Sequence, residues 1–218
     1  MGSASHHDLM RTAPGAPSHL ALGRVTYAEG LKIQHEHFEL RQRGVIPDTL
    51  LLLEHPPVYT LGTNADASHV RDPQGAEVVQ TDRGGEATWH GPGQVVGYVI
   101  SDLEPRGRDL HRFCRDLEEI MIRALGDFGL PGRRIEGLTG VWLGEEKVGA
   151  LGVRVRRWIT THGFALNVSC DLRWFDTVIP CGLADRRVTS MERALGRPVE
   201  LDQVKESCAA HFQEVFGS

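Results

Sequence analysis

The stretch VWLGEEKVGALGVRV, residues 141–155, carries a clear topological signal. An apolar run at 141–143 and a β-branched-rich run at 148–155 flank the turn Gly144-Glu145-Glu146. Two strand-forming runs that are joined by a short turn containing glycine predict a β-hairpin. The fold should therefore contain antiparallel strands in this part of the chain.

Other strand and helix patterns surround the hairpin. Further strands are predicted from apolar and β-branched runs at 49–54, 58–61, 77–81, 95–100, 159–161 and 164–168. Helices are predicted from periodic apolar positions at 109–128 and 202–216, and at 27–43, where Gly44 follows as a C-cap. Strands and helices do not alternate as in βαβ units. The sequence therefore predicts an α+β fold, with a mixed, largely antiparallel sheet and helices packed on it.

Composition narrows the class of protein. Hydrophobic residues make up 40% of the 218 residues, charged residues make up 24%, and the net charge is −5. This profile is typical of a soluble globular protein, and the negative charge argues against a nucleic-acid partner. The longest apolar run, residues 50–53, is far too short to cross a bilayer, and no apolar signal core begins the chain. We expect a cytoplasmic protein that does not bind a membrane.

The first residues differ in composition from the rest. Residues 1–19 are rich in Gly, Ser, Ala, Pro and His, so we expect a disordered N-terminal tail there and one folded domain at 20–218. His6 and His7 lie in this tail and are typical of a tag or tail rather than of a metal site. We expect no metal site.

Four cysteines separate into two groups. Cys114 and Cys208 lie on the apolar faces of predicted helices, and Cys170 ends a predicted strand, so all three are interpreted as structural. Cys181 follows Val178-Ile179-Pro180 and precedes Gly182. A thiol at a rigid turn beside a core can be presented to a ligand, although the same residues are also simply a turn.

Residues 83–94, RGGEATWHGPGQ, are unusually rich in glycine. Glycine lets a backbone approach a ligand closely, so a ligand-binding loop is favoured over a hairpin turn. The Gly-Lys-Ser/Thr ending of a phosphate-binding loop is absent, and no helix pattern follows as in a dinucleotide-binding fingerprint. Lys147 would ordinarily be a solvated lysine after a turn, but the small residues that follow it indicate close packing.

Five segments together resemble one family. They are RGGEATWHGPGQ (83–94), GLTGVW (137–142), KVGALGVR (147–154), HGFALNV (162–168) and IPCG (179–182). In this order they resemble the lipoyl(octanoyl) transferases of lipoate biosynthesis, members of the biotin/lipoate protein ligase superfamily. The resemblance covers roughly residues 20 to 216 and implies a biotin/lipoate protein ligase-like fold, with the octanoyltransferase catalytic domain at 20–218.

The resemblance also implies roles for individual residues. Cys181 matches the nucleophile that carries the acyl group as a thioester, and Lys147 matches the lysine that sets the protonation of this thiol. The segments that match substrate-binding positions contain Arg83, Gly84, Gly85, Glu86, Ala87, Thr88, Trp89, His90, Ala150, Leu151, Gly152, Gly163, Phe164 and Ala165.

The family's partners follow from the same resemblance. The expected donor is octanoyl-acyl carrier protein, and the expected acceptors are lysines of the lipoyl domains of 2-oxoacid dehydrogenase complexes and of the glycine cleavage H protein. Both kinds of partner are typically acidic, so the arginines at 133–134, 154–157 and 186–187 are either docking patches or ordinary solvated side chains.

The expected chemistry needs no cofactor. Exchange of an acyl group between thiols is nearly thermoneutral, and aminolysis of a thioester runs downhill because an amide is more stable. An ATP-dependent lipoate or biotin ligase, a cysteine thioesterase and a non-catalytic acyl-protein binding module remain the alternatives.

Overall fold

The structure, a computed structural model, describes residues 15–178 and 187–217. Its strands are β1 (Ser18–Arg24), β2 (Thr49–Glu54), β3 (Val58–Leu61), β4 (Glu77–Gln80), β5 (Ala87–His90), β6 (Gln94–Ile100), β7 (Val141–Leu143), β8 (Glu146–Arg156) and β9 (Ile159–Asn167). Its α-helices are α1 (Tyr27–Gln42), α2 (Leu110–Asp127), α3 (Met191–Leu195) and α4 (Leu201–Phe216). None of these helices is long and apolar enough to cross a membrane.

The strands form two sheets. The larger sheet has the order β1-β2-β6-β9-β8-β7, and the smaller has the order β4-β3-β5. Strand β1 runs parallel to β2 and β4 runs parallel to β3, while the other pairs are antiparallel. The predicted α+β fold with a mixed, largely antiparallel sheet is therefore confirmed, and so is the hairpin, as β7–β8.

Side-chain alternation along the strands divides the larger sheet into two faces. On one face, Leu50 of β2 and Leu166 of β9 pack against α2 and α4 in the main apolar core. On the other face, Leu51 and Leu53 pack with Phe38 of α1. Helix α1 covers only part of that second face, which leaves room for a cavity over β6, β9 and β8.

Local signals fix both ends of α1 and the start of α2. Thr26 caps α1 in a capping box, in which Glu29 N donates to Thr26 Oγ1 and Thr26 N donates to Glu29 Oε2. Gly44, with a φ of 68°, follows the end of this helix. Asp109 accepts a hydrogen bond from Arg112 N and caps α2. These signals explain why the predicted ends of α1 and the predicted start of α2 agree closely with the structure.

Several predictions are corrected. The tail does not extend to residue 19, because Ser18 and His19 lie in β1 and pair in parallel with β2. The two strands predicted at 159–161 and 164–168 form the single strand β9, which runs without a break through His162 and Gly163. Strands β1 and β5 and helix α3 were not predicted. Their runs are short or carry no apolar period.

The three cysteines interpreted as structural differ in burial. Cys208 is fully buried between α4 and α2, and Cys170 is buried beside the smaller sheet. Burial raises the pKa of both thiols to about 12. Cys114, expected in the core, is half-buried, so that prediction is wrong in degree. Burial still raises the pKa of Cys114 to about 11.

Candidate active site

A trough of small residues runs across the open face of the larger sheet. In one cross-strand row Val96 pairs with Ala165, which pairs with Ala150. In the next row Gly163 lies between Tyr98 and Gly152. A cavity of ≈ 990 Å³ lies over these rows. Short side chains at the centre of a sheet leave space above it, so the sequence of β8 and β9 itself creates the cavity.

The glycine-rich loop is held against β8. Gly84 N donates to Val153 O at 2.9 Å. A Cβ atom at Gly152 would lie only 2.9 Å from Gly84 O and 3.1 Å from Arg83 Cδ. Only glycine at position 152 lets the loop dock this closely. The loop therefore forms a wall of the cavity.

Arg83 organises this loop from within. Its side chain is buried, and its Nη2 donates to Thr60 O at 2.7 Å and to Glu86 O at 2.8 Å. Its Nη1 donates to Gly84 O at 3.1 Å. Burial lowers the pKa of Arg83, yet these acceptors satisfy the guanidinium. Arg83 thus shapes the loop through main-chain acceptors, whatever further contact it makes with a ligand.

Lys147 lies at the other side of the cavity, at the start of β8. Its Nζ lies 4.9 Å from the centre of the Trp142 ring, within the range of a cation–π contact. Its main chain pairs with the segment 187–189, since Lys147 N donates to Arg187 O and Thr189 N donates to Lys147 O, both at 2.9 Å. The ammonium group and the cavity thus share one wall.

Gly140 packs directly beside this lysine. A Cβ atom at Gly140 would lie 3.4 Å from Lys147 Cε and 2.5 Å from Gly149 O. Gly140 N donates to Glu118 Oε1 at 2.9 Å, and the Glu118 carboxylate is buried and also bound by Arg115 and Arg134. Helix α2 therefore holds the loop that abuts Lys147.

The far end of the cavity is polar. His162 Nε2 lies 2.8 Å from Asp82 Oδ1, and Tyr98 OH lies 2.6 Å from His55 Nε2. Burial lowers the pKa of both His55 and His162, and it raises the pKa of Tyr27 to about 12. His55, His162 and Tyr27 are therefore neutral near pH 7 and present hydrogen-bonding groups without charge.

A second polar set lies between the glycine-rich loop and β9. His90 Nδ1 lies 2.7 Å from Gln94 Oε1, Gln94 Nε2 lies 2.9 Å from Asn167 Oδ1, and Asn167 Nδ2 lies 3.0 Å from Thr189 O. Burial, with the nearby histidines and Arg83, lowers the pKa of His90 to about 3. His90 is thus a neutral side chain in the wall of the cavity.

Comparison with known proteins identifies the family to which the chain belongs. Residues 26–213 match the model described as the lipoyl protein ligase A/B catalytic domain. An octanoyltransferase of Rubrobacter xylanophilus is 52% identical over 89% of this chain and 91% of its own length. An octanoyltransferase of Geobacter metallireducens is 48% identical over 88% and 89%. The chain belongs to the octanoyltransferase family. It is an acyltransferase of this type.

The fold is also similar to that of solved lipoate-protein ligases. A solved lipoate-protein ligase A with bound ATP superposes with a TM-score of 0.77 over 93% of this chain and 86% of that chain. The sequence identity is only 18%, so this likeness concerns the fold. The predicted membership of the biotin/lipoate protein ligase superfamily is confirmed by the match to the lipoyl protein ligase A/B catalytic domain and by the octanoyltransferase relatives.

Most residues that the octanoyltransferase resemblance assigned to substrate binding line one cavity. Those that line it are Arg83, Gly85, Glu86, Ala87, Thr88, His90, Ala150, Leu151, Gly152, Gly163, Phe164 and Ala165, and Lys147 joins them. Gly84 and Trp89 are not among the described residues that line it. Trp89 turns into the smaller sheet, where its ring stacks on Trp174 at 5.7 Å. Cys181 lies outside the described residues.

Other residues of the cavity were not predicted as site residues. Tyr27, Tyr98 and Gln94 line it, and so do Asn167 and His162. Alternation along residues 94–98 would have placed Gln94 and Tyr98 on the same face as Val96. Tyr27 carried no such signal, because it begins a helix far away in sequence.

Proposed function

We propose that this octanoyltransferase moves an octanoyl group from octanoyl-acyl carrier protein to a lysine of a lipoyl domain, through a thioester on Cys181. The observation that carries the proposal is the cavity beside Lys147, in a chain about half identical over nearly its full length to named octanoyltransferases. The cavity offers an apolar trough for the acyl chain, and each buried CH₂ group contributes about 0.8 kcal/mol.

In the first half-reaction, the Cys181 thiolate attacks the carbonyl carbon of the donor thioester. The bond between sulfur and acyl carbon forms at Cys181 and breaks at the carrier protein, whose thiolate leaves and takes up a proton from solvent. The Lys147 ammonium favours the thiolate form by charge. This role is supported by the pairing of Lys147 with residues 187–189, which follow Cys181 by six to eight positions in sequence.

In the second half-reaction, the amine of the acceptor lysine attacks the Cys181 thioester. An amide bond forms, the Cys181 thiolate leaves, and the second proton that the nitrogen loses passes to solvent. Acylation removes the negative charge of Cys181, so the apolar surroundings then disfavour the Lys147 ammonium. A neutral Lys147 can accept the proton that the incoming ammonium must lose before it attacks. One lysine would thus serve both steps.

The ligase-like fold raises the question of ATP. The known lipoate-protein ligase A of similar fold binds ATP, whereas the relatives of high identity are named octanoyltransferases. Transfer from octanoyl-acyl carrier protein in the absence of ATP is the expected result for this chain. A strict requirement for ATP would instead favour a ligase.

Mass spectrometry tests the proposal directly. After mixing with octanoyl-acyl carrier protein, the wild type should carry one octanoyl group on the peptide that contains Cys181, and Cys181→Ala should carry none. An unmodified wild type would favour a non-catalytic binding module. Release of free octanoate with no octanoyl-lysine in the presence of lipoyl domain would identify a thioesterase.

Lys147→Arg tests the second role of the lysine. The guanidinium keeps a positive charge but does not accept a proton in this pH range. Acylation of Cys181 should therefore be retained better than aminolysis of the pre-formed thioester. Aminolysis as fast as in the wild type would contradict the proton-accepting role.

A further inference from the structure

Four hydrogen bonds in series connect the glycine-rich loop with the main chain of Lys147. The first three join His90 to Gln94, Gln94 to Asn167, and Asn167 to Thr189, over distances of 2.7, 2.9 and 3.0 Å. The fourth is the donation from Thr189 N to Lys147 O at 2.9 Å. The series crosses β6 and β9 and ends next to the ammonium-bearing residue.

The carbonyl oxygen of Thr189 determines the orientation of the Asn167, Gln94 and His90 side chains. A main-chain carbonyl can only accept, so Asn167 must turn its NH₂ group to Thr189 O and its own oxygen to Gln94. Gln94 must then donate its NH₂ group to Asn167 and present its oxygen to His90. His90 must therefore carry its proton on Nδ1. This requirement agrees with the neutral state of the buried ring.

Burial makes this orientation matter. Gln94, Asn167 and Thr189 expose only 2%, 5% and 2% of their surface. A buried carbonyl that loses its donor regains no hydrogen bond from bulk water, and leaving it unsatisfied costs about 1–3 kcal/mol. Thr189 should therefore keep its place only while Asn167 donates to it.

Thr189 belongs to a short segment that fixes Lys147 from both sides. Lys147 N donates to Arg187 O, Lys147 O accepts from Thr189 N, and Val188 lies between them as the parallel bridge partner of Lys147. In the sequence, this segment follows Cys181 by six to eight residues. A shift of Thr189 would therefore move β8, which carries Lys147, and residues 187–189 relative to each other.

We propose that Asn167 is a positioning residue for acyl transfer: its amide, oriented through Gln94, clamps Thr189 and so sets Lys147 against the segment that follows Cys181. This inference rests on the roles proposed above for Cys181 and Lys147. Asn167 itself does not touch the reacting atoms in this scheme. It acts through the main chain of Thr189.

Asn167→Asp is the decisive variant, because it changes one donor group with almost no change in shape. The carboxylate can still accept from Gln94 but repels Thr189 O. In its neutral form the same side chain can donate its O–H to Thr189 O, and burial favours the neutral form. The variant should therefore be defective at high pH and should recover relative to the wild type as the pH falls. Asn167→Ala loses the donor at every pH.

The measurement is single-turnover acylation of Cys181 by octanoyl-acyl carrier protein between about pH 5.5 and 8.5, corrected for the folded fraction by circular dichroism. At the upper end, Asn167→Asp should react about tenfold more slowly than the wild type or worse, as expected for a lost buried hydrogen bond. The ratio of the two rates should rise as the pH falls. The ratio for Asn167→Ala should stay constant.

Gln80→Glu serves as the matched control. Gln80 Nε2 also donates to main-chain carbonyls, Leu61 O at 3.3 Å and Gly62 O at 3.2 Å, but it lies on β4 away from the cavity lining. This variant should acylate at the wild-type rate.

The outcomes separate the two proposals. The positioning role alone would be overturned if the wild type forms a normal adduct and the ratio of the Asn167→Asp rate to the wild-type rate is the same at every pH. A loss of thermal stability in Asn167→Asp without a change in this ratio would do the same, since it would show a merely structural role. Absence of an adduct from wild-type Cys181 would refute the proposed function instead.

Discussion

Gly140→Ala should damage the protein through the lysine that lies beside this glycine. Gly140 has a φ of 110°, which side chains rarely adopt. The new Cβ atom would lie 2.5 Å from Gly149 O, far inside contact distance, and 3.4 Å from Lys147 Cε. Because Gly149 O is backbone in the middle of the sheet, the loop at 137–140 must move rather than β8.

The expected cost follows from these contacts. Forcing a residue with a Cβ atom into such a backbone conformation costs about 1–3 kcal/mol. Moving the loop also weakens the hydrogen bond from Gly140 N to the buried Glu118 carboxylate, and a bond to a charged group contributes about 1.5–3 kcal/mol. We expect a total loss of about 3 kcal/mol, which lowers the Tm of a chain of this length by about 6–12 °C.

Gly144→Ala provides the control, in the turn of the β7–β8 hairpin that follows Gly140. Gly144 also has a positive φ, 58°, but no atom lies within 4 Å of its Cβ position. Its replacement should cost only about 1 kcal/mol of backbone strain and leave the acylation rate unchanged. Thermal unfolding followed by circular dichroism measures the first effect, and single-turnover acylation of the folded protein measures the second.

The two variants together test the packing of Lys147. Displacement of a reacting group by about 1 Å can slow a reaction about a hundredfold, so Gly140→Ala should acylate at least about tenfold more slowly once corrected for folded protein. If Gly140→Ala and Gly144→Ala lose the same stability and both acylate at the wild-type rate, the contact between this loop and Lys147 has no role in the reaction.

Two further predictions concern neighbouring residues of the glycine-rich stretch, His90 and Trp89. The pKa of His90 is about 3 in the folded chain, whereas an unfolded histidine has its ordinary value of 6.5. As the pH falls below 6.5, the unfolded state therefore binds a proton that the folded state does not bind. The free energy of unfolding must then decrease. Urea unfolding should show that this group lowers the free energy of unfolding by about 2 kcal/mol between pH 7 and 5. In His90→Gln, the free energy of unfolding should fall by that much less over the same range. The same pH dependence in the variant and the wild type would contradict the neutral buried ring. Trp89→Ala should remove about 3–5 kcal/mol of stability as a large buried side chain is lost, while KM for the acyl donor stays nearly constant because the ring packs on Trp174. A large rise in KM with little loss of stability would place Trp89 at the substrate instead.

The elements that could be predicted from the sequence are those whose signals are local. Helix α2 carries an apolar stripe and an N-cap at Asp109, and its predicted ends differ from the structure by one residue. Strand β1 carries no comparable pattern, because it is an edge strand whose residues are mostly half-exposed or exposed. Its place depends on parallel pairing with β2, a contact between distant parts of the chain.

The residues of the candidate site also divide into those with a local sequence signal and those whose place depends on contacts between distant parts of the chain. Family motifs identified the glycine-rich loop and the small residues of β8 and β9, and the structure brings these segments to one cavity. Trp89 lies within such a motif, yet strand alternation turns it to the other side of β5. The link from Gln94 through Asn167 to Thr189 could not be inferred, since it depends on register across β6 and β9 and on a segment after the last strand. The role of Cys181 stays a prediction.

The central claim is that Cys181 carries the acyl group on the path to the acceptor. Wild-type protein should first be loaded with octanoyl-acyl carrier protein, freed of donor, and then mixed rapidly with an excess of lipoyl domain. We predict that the octanoyl group disappears from Cys181 and appears on the acceptor lysine with one common rate constant. An octanoyl-enzyme that persists while octanoyl-lysine fails to form, or that decays only to free octanoate, would contradict the account.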